Sequence, residues 1–191
     1  VLYIAISGGI SGTCWSAELM AEELRGEYPD RMIRVLNTCG ASLGEGLVVL
    51  EAAKMLEKGC TADEIIRQAE ENCGRMRQFF MVDDLKYLRR GGRIGRITAL
   101  AGTMLSIKPV LHVDDTGHLV PVSKTRGRKA SLLALVDRMA ESAVDPAGQT
   151  IFISHGDCEA DAEFVADEVR RRFGVQDIYI NYVGPVIGNH S

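Results

Sequence analysis

Seven consecutive residues, Ser7-Gly8-Gly9-Ile10-Ser11-Gly12-Thr13, place three glycines and three hydroxyl side chains between an apolar run, VLYIAI, and an amphipathic stretch, CWSAELMAEEL. A strand-to-helix turn of this composition presents backbone N–H groups at a helix N-terminus, with the Ser11 and Thr13 hydroxyls beside them. Its chemistry is that of holding an anion. What the loop lacks narrows the choice. No lysine follows the glycines, so a GxxxxGK[ST] phosphate loop is excluded, and Gly8, Gly9 and Gly12 do not have dinucleotide GxGxxG spacing. One carboxylate or phosphate oxygen pair remains. The plainer alternative is that Ser11 caps the helix while the glycines make the turn. As a nucleophile Ser11 lacks the GxSxG elbow, and spacing assigns it none of His112, His118, His155 or His190 as a base.

A second stretch, LKYLRRGGRIGRI, sets Lys86, Arg89, Arg90, Arg93 and Arg96 around a double glycine. Such a stretch is a solvated basic helix end, a docking patch for an acidic partner, or a nucleic-acid contact. Nucleic acid is the weaker functional reading, since Tyr87 is the single interleaved aromatic and the chain is acidic overall. Near the end, VGPVIGNH reads as a strand running into Gly-Asn-His, which puts His190 at the mouth of a sheet, where ligands often sit, or on the surface. HGDCEAD sets Asp157, Glu159 and Asp161 at a helix start, where acidic residues complement the helix dipole. They are read as capping and not as metal ligands, so no metal is expected.

These residues need a scaffold of alternating strands and helices. VLYIAI and MIRVLN read as buried strands. Between them a helix buries Ala17, Met20, Ala21 and Leu24 and leaves Glu18, Glu22 and Glu23 in water. After the small-residue turn NTCGASLGEG, a helix carries a Val48, Ala52, Met55 and Leu56 stripe and ends at Gly59. Thr61 and Glu64 form a capping box for the next. Strand, crossover helix and strand require a parallel sheet. Beyond Gly74 the pattern changes. RQFFMV is a strand, DDLKYLRRGG a short capped helix, ITALAGTMLS a small-residue helix, and PVLHVDDTGHLVPVSK a hairpin around Asp115-Thr116-Gly117. A helix over KASLLALVDRMAESA, a strand over TIFISHG, a helix over EADAEFVADEVRRRFG and a strand over DIYINYVG complete the chain. The expectation is a two-lobed α/β protein. Residues 1–74 form a lobe with a parallel sheet and flanking helices, and residues 75–191 one with a mixed or antiparallel sheet and helices.

With 191 residues, 46% of them hydrophobic, the chain can bury a full core. A net charge of −4 argues against a protein that coats nucleic acid. Five cysteines with no CxxC pair fit a reducing cytoplasm. No apolar run reaches the ~18 residues of a membrane span. The first residue lies inside a strand and the last in a turn, so a longer parent protein is expected.

The motifs SGGISGT, GASLGEGLVVLEAAKML, FMVDDLKYLRRGGRIG, LSIKPVLHVDDTGHLVPVSKTRGRKA, ISHGDCEADAE and VGPVIGNH occur in an order that resembles the DegV family of bacterial fatty-acid-binding proteins, over essentially the whole chain. The resemblance implies a two-lobed α/β fold that buries one long-chain fatty acid, with no cofactor. It also implies a carrier, not the catalyst, that presents the carboxylate to a separate ATP-dependent kinase subunit making acyl-phosphate. By the same resemblance Ser11, with Gly12 and Thr13, and His190 hold the carboxylate. Arg93 and Arg126, with Arg89 and Arg90 beside Arg93, lie on the face that meets the kinase. There are departures. The family's N-terminal segment with its Thr-Ser-Gln-Pro motif is absent from the sequence, as is the Gly-Pro-Gly that follows the histidine. Gly8 stands where a second serine is common, and Asn37-Thr38 replaces Asp-Ser. Two other readings stay open: a phosphotransferase or hydrolase acting through SGGISGT, and a regulatory nucleic-acid-binding protein using the basic turn.

Overall fold

The structure, a computed structural model, describes residues 1–94 and 107–190. The helix expected over ITALAGTMLS, Arg96 and Ser191 lie outside the described residues. The chain divides into two compact units. One contains residues 1–76 together with 113–118, and the other residues 77–112 and 119–191. The segment 113–118 is the tip of the hairpin expected around Asp115-Thr116-Gly117, and its grouping with the first unit was not foreseen.

In the first unit, β1 (Leu2–Ala5) pairs in parallel with β2 (Arg34–Asn37), in a register that sets Leu2 against Arg34 and Ala5 against Asn37. Helix α1 (Thr13–Glu27) makes the crossover, and α2 (Leu43–Glu57) and α3 (Ala62–Arg75) follow. Leu36, Val48 and Ala69 form the buried centre, with Leu2, Ile4, Cys73 and Met76 packed on it. Thr61 starts α3 with the expected capping box. Its hydroxyl accepts the Glu64 N–H, and the Glu64 carboxylate accepts the Thr61 N–H at 2.8 Å. The Thr61 N–H, and then the Thr61 hydroxyl, which also donates to the carboxylate at 2.8 Å, hold the Glu64 carboxyl below its usual range.

Two helix faces differ from the sequence expectation. In α1 the buried residues are Cys14 and Ala21, while Met20 is 53% exposed. The inward line is turned toward Glu18 and Arg25, which pair at 3.0 Å, and Arg25 Nε also donates to Ile33 O. In α2, Val48 is buried as expected, but Leu56 in the last turn is 67% exposed.

In the second unit, β3 (Phe79–Met81), β4 (Ile107–Val113) and β5 (Leu119–Arg126) form one sheet in that order. β3 runs antiparallel to β4, with Phe79 against His112 and Met81 against Val110. Between β3 and β4, α4 (Lys86–Arg90) starts where Asp84 accepts the Lys86 N–H at 2.8 Å. It stops at Gly91 and Gly92, the latter at φ +71°. Beyond β5 come α5 (Arg128–Ser142), β6 (Ile151–His155), α6 (Glu159–Phe173), β7 (Ile178–Tyr182) and α7 (Pro185–Gly188). β6 and β7 are parallel, joined through α6, which ends at Gly174 in the left-handed region. Leu132, Val136, Val165, Val169 and Val175 form the core of this part.

Asp83, Lys108, Arg128 and Asp161 link four segments of this unit. Asp83 lies 2.8 Å from Lys108 Nζ and 3.0 Å from Arg128 Nη1, and Arg128 Nε donates to Asp161 at 2.5 Å. Asp161 and Glu159 stand in the first turn of α6, where the dipole favours them, yet no side chain caps that helix. Asp161 is engaged as an ion-pair partner, a correction to the capping reading. His190 also differs from expectation, because α7 separates it from the last strand.

Candidate functional site

The Ser7–Thr13 loop leaves the C-terminal end of β1, and the Thr38–Ser42 loop leaves the adjacent end of β2. In open parallel sheets that edge is where ligands bind. Polar side chains buried at the strand ends tie the two loops together. Ser7 and Thr38 are fully buried. Ser7 N–H donates to Gly40 O at 2.8 Å, and Thr38 Oγ1 donates to Ala5 O at 2.8 Å while accepting the Gly40 N–H at 3.1 Å. Asn37 Oδ1 accepts from both Gly8 N and Cys39 N, each at 3.1 Å. A buried polar group without partners is costly, and the Ser7–Gly40 and Gly8–Asn37 bonds satisfy such groups across the two segments, while the others do so within one loop or to β1.

The hairpin tip belongs to the same arrangement. Ser7 Oγ donates to Gly117 O at 2.7 Å and accepts the Gly9 N–H at 3.1 Å. Gly9 and Gly117 are glycines for steric reasons. A Cβ on Gly9 would lie 2.6 Å from the Gly117 carbonyl oxygen. Gly117 has φ +80°, and a Cβ there would overlap Ser7 Oγ. The tip is held internally by Asp114, whose Oδ1 accepts from Thr116 Oγ1 at 2.7 Å and from the N–H groups of Thr116 and His118 at 2.9 Å. The Thr116 hydroxyl, first among these, holds the Asp114 carboxyl below its usual range. Burial, followed by the charges of Asp114 and Asp115, pushes the Cys39 thiol up. Cys39 and Ser42 both hold positive φ, at 48° and 54°, an uncommon backbone for residues with side chains.

Ser11, Gly12 and Thr13 stand where the loop becomes α1. Ile10 and Ser11 N–H both donate to Ser7 O at 3.0 Å, which folds the loop back on itself. Gly12 is the N-cap of α1, no side chain caps the helix, and a helix N-terminus leaves several N–H groups unpaired. Ser11 Oγ lies 2.9 Å from Thr13 Oγ1 and accepts the Thr13 N–H at 3.3 Å. In this hydroxyl pair one proton closes the bond between the two oxygens. The other hydroxyl proton is left to donate outward, whichever residue carries it. The geometry is that of a donor set for an oxyanion. Among the described residues Ser11 hydrogen-bonds Thr13 and no histidine.

Trp15 adds what sequence reasoning missed at this site. Its indole is 60% exposed, and Nε1 donates to Gly8 O at 3.2 Å. A Cβ on Gly8 would lie 2.9 Å from Trp15 Nε1 and 3.2 Å from Asn37 Nδ2. The indole therefore occupies the space that a serine at position 8 would need.

The other expected site residues lie in the second unit. Arg89 and Arg90 are exposed on α4, and Arg126 is exposed at the end of β5. Arg93 is half-buried, and its Nη1 donates to Gly91 O at 2.5 Å. His190 Nδ1 lies 2.8 Å from Val186 O. That carbonyl only accepts, so Nδ1 carries a proton there, and Nε2 is left as an acceptor in the neutral imidazole and as a donor in the imidazolium. Gly91 draws these residues together, since a Cβ on it would lie 2.9 Å from Arg93 Nη1 and 3.5 Å from His190 Cδ2. The structure thus groups Ser11 with Gly12 and Thr13 in one unit, and His190 with Arg93 in the other. Among the described residues, no group of three or more His, Cys, Asp or Glu side chains is placed to hold a metal ion. No described helix is long and apolar enough to cross a membrane.

A family model described as "Uncharacterised protein, DegV family" matches residues 1–191. A DegV domain-containing protein of Clostridium perfringens is 45% identical over all 191 residues, which span 66% of that protein. A DegV family protein of Ruminococcus gnavus, whose crystal structure is described with vaccenic acid, superposes with a TM-score of 0.92 at 27% identity. The superposition covers 99% of this chain and 67% of that one. The Fak B3 protein of Streptococcus pneumoniae fatty acid kinase, loaded with linoleic acid, superposes with a TM-score of 0.89, covering 99% of this chain and 66% of that one. At 22% identity it shows the shared fold. The chain thus spans about two thirds of the length of these proteins, and it belongs to the DegV family.

Proposed function

We propose that the protein holds a long-chain fatty acid in a buried tunnel and presents its carboxylate to a separate kinase subunit, which phosphorylates it to acyl-phosphate. The observation that carries this reading is the Ser11–Thr13 hydroxyl pair at the uncapped start of α1, with one proton left to donate. The relatives support the ligand class, since the Ruminococcus gnavus and Streptococcus pneumoniae proteins are described with vaccenic and linoleic acid. The kinase half is supported by the family resemblance, which the LRRGGRI and IKPVLHVDDTG segments make specific, and by the fold shared with Fak B3.

The energetics fit a carrier. Burying one methylene contributes ~0.8 kcal/mol, so a chain of about 16 carbons contributes roughly 12 kcal/mol before the costs of association. The polar end then has only to orient the head group. In this reading Ser11, Gly12, Thr13 and His190 receive the carboxylate, and Arg93, Arg126, Arg89 and Arg90 meet the kinase. The protein is a carrier and not the catalyst.

Ser11→Ala in the full-length protein tests this. It removes a hydrogen bond to a charged oxygen, ~1.5–3 kcal/mol. Acyl-phosphate formation falls at least tenfold, while fatty-acid affinity falls less, because the buried chain dominates binding. Normal acyl-phosphate formation by the kinase with the variant as carrier would reduce Ser11 to a structural residue of the turn.

A further inference from the structure

Three consecutive N–H groups of the Ser7–Thr13 loop, those of Gly9, Ile10 and Ser11, all donate to Ser7. Gly9 donates to its Oγ at 3.1 Å, and Ile10 and Ser11 donate to its carbonyl oxygen at 3.0 Å each. Among the described residues, hydrogen bonds from other elements reach positions 8–10 only at Gly8, where Asn37 Oδ1 accepts the N–H and Trp15 Nε1 donates to the carbonyl. The backbone from Gly9 to Ser11 therefore takes its course from Ser7. Ser7 is itself fully buried and tied twice to other segments. Its N–H donates to Gly40 O at 2.8 Å, and its hydroxyl donates to Gly117 O at 2.7 Å. The hairpin tip fits against the loop on both sides of the second bond. A Cβ on Gly9 would lie 2.6 Å from Gly117 O, and a Cβ on Gly117 would overlap Ser7 Oγ. The tip does not need that bond to close. Asp114 Oδ1 accepts from Thr116 and His118, Gly117 N–H donates to Asp114 O at 2.8 Å, and Asp114 N–H donates to His118 O at 2.9 Å.

From this arrangement we infer that Ser7 is a positioning residue for the fatty-acid carboxylate, and that the hairpin tip, through Gly117, holds it in place. The inference rests on the reading of the loop as a carboxylate site. Ser7 touches no ligand in this role. With its hydroxyl shared between Gly117 O and the Gly9 N–H, it orients the segment that ends at Ser11, and with it the outward proton of the Ser11–Thr13 pair. A hydrogen bond weakens steeply when its donor is misdirected, whereas a buried acyl chain is held by area and not by direction. Misplacing the loop therefore weakens the hold on an acid more than the hold on an uncharged lipid of the same length. A residue that only stabilised the fold would weaken both alike.

The test is the ratio of affinities of the full-length protein for oleic acid and for oleyl alcohol. It is measured with wild type, Ser7→Ala, Gly117→Ala, the double variant and Val48→Ala, each below its melting temperature. Val48 lies in the buried centre of the same unit with Leu36 and Ala69, so its truncation reports destabilisation alone. Ser7→Ala lowers the preference for the acid about fivefold to tenfold and leaves affinity for the alcohol within about twofold. Gly117→Ala does the same. Removing the Ser7 oxygen relieves the overlap at Gly117, so the double variant falls no further than either single one. Val48→Ala melts lower and keeps the wild-type ratio. A wild-type ratio in Ser7→Ala or Gly117→Ala overturns the proposal, as does an equal shift in Val48→Ala or a double variant whose losses add. Where one of the two single variants does not fold, the other decides alone. A wild-type protein that binds acid and alcohol alike defeats the carboxylate-site reading itself, and this inference with it.

Discussion

The Ser7–Thr13 loop of the first unit and the basic turn of the second are both rich in glycine, but for different reasons. At Gly9 and Gly117 backbone or a buried hydroxyl already occupies the space of a side chain. At Gly91 the near neighbours are the flexible end of Arg93 and the edge of His190, and Gly92 has open space around it with φ +71°. The first region is locked by contacts that cannot yield. The second is shaped by backbone conformation and surrounded by side chains that can move aside. Their chemistry divides in the same way. The locked loop offers neutral donors at fixed positions, as selective recognition of a head group needs. The basic turn offers exposed guanidinium groups, which act at a distance and tolerate imprecise placement.

The sharpest way to break this contrast is to add one methyl group in each kind of place. Gly117→Ala combines a positive φ with overlap on Ser7 Oγ, and its cost is about 3 kcal/mol, with Gly9→Ala at about 1–3 kcal/mol. Gly12→Ala, at φ −68° with open space, stays within about 0.5 kcal/mol. Urea denaturation of the full-length variants ranks them. Equal costs at positions 9 and 12 would mean that the tip does not pack on the loop.

A smaller effect is expected from charge in the second unit. Arg89 and Arg90 are exposed and have no ion-pair partner recorded among the described residues, whereas Arg93 is tied to Gly91 O. Replacing both Arg89 and Arg90 with glutamate lowers the rate of coupling to the kinase about tenfold at low salt, and the deficit shrinks as salt screens it. Lipid occupancy and melting temperature remain those of wild type. Coupling kinetics unchanged at every salt concentration would remove the turn from the docking surface.

The smallest effect concerns Asp114. Its carboxyl titrates below its usual range in the folded protein because the Thr116 hydroxyl and two N–H groups favour the ionised form. Its contribution to stability is therefore present above about pH 4, the ordinary aspartate value, and is lost as pH falls through the lower folded value. The amide resonances of Thr116 and His118 should shift together across that acid limb. Asp114→Ala abolishes the step. An identical acid profile in the variant would show that the tip does not depend on this carboxylate.

Much of this contrast was legible in the sequence, and what was not has common physical causes. The Thr61–Glu64 box, the parallel crossover through α1 and the hairpin are local signals, encoded within a few residues of where they act. Ser7 and Gly117 meet across 110 positions, and nothing near either residue announces the other. Met20 and Leu56 fit an apolar stripe by spacing, yet helix rotation is set by neighbours such as the Glu18–Arg25 pair. Asn37 reads as an ordinary turn residue until the second loop is laid beside it. The separation of His190 from the last strand by α7 depended on one Gly-Pro step that reads equally well as a simple turn.

Native mass spectrometry of the full-length protein purified from cells tests most directly whether it holds a long-chain fatty acid. The expected spectrum is a protein carrying one long-chain fatty acid per chain, released as the free acid on denaturation. A protein that emerges empty and takes up no added oleic acid would contradict the account.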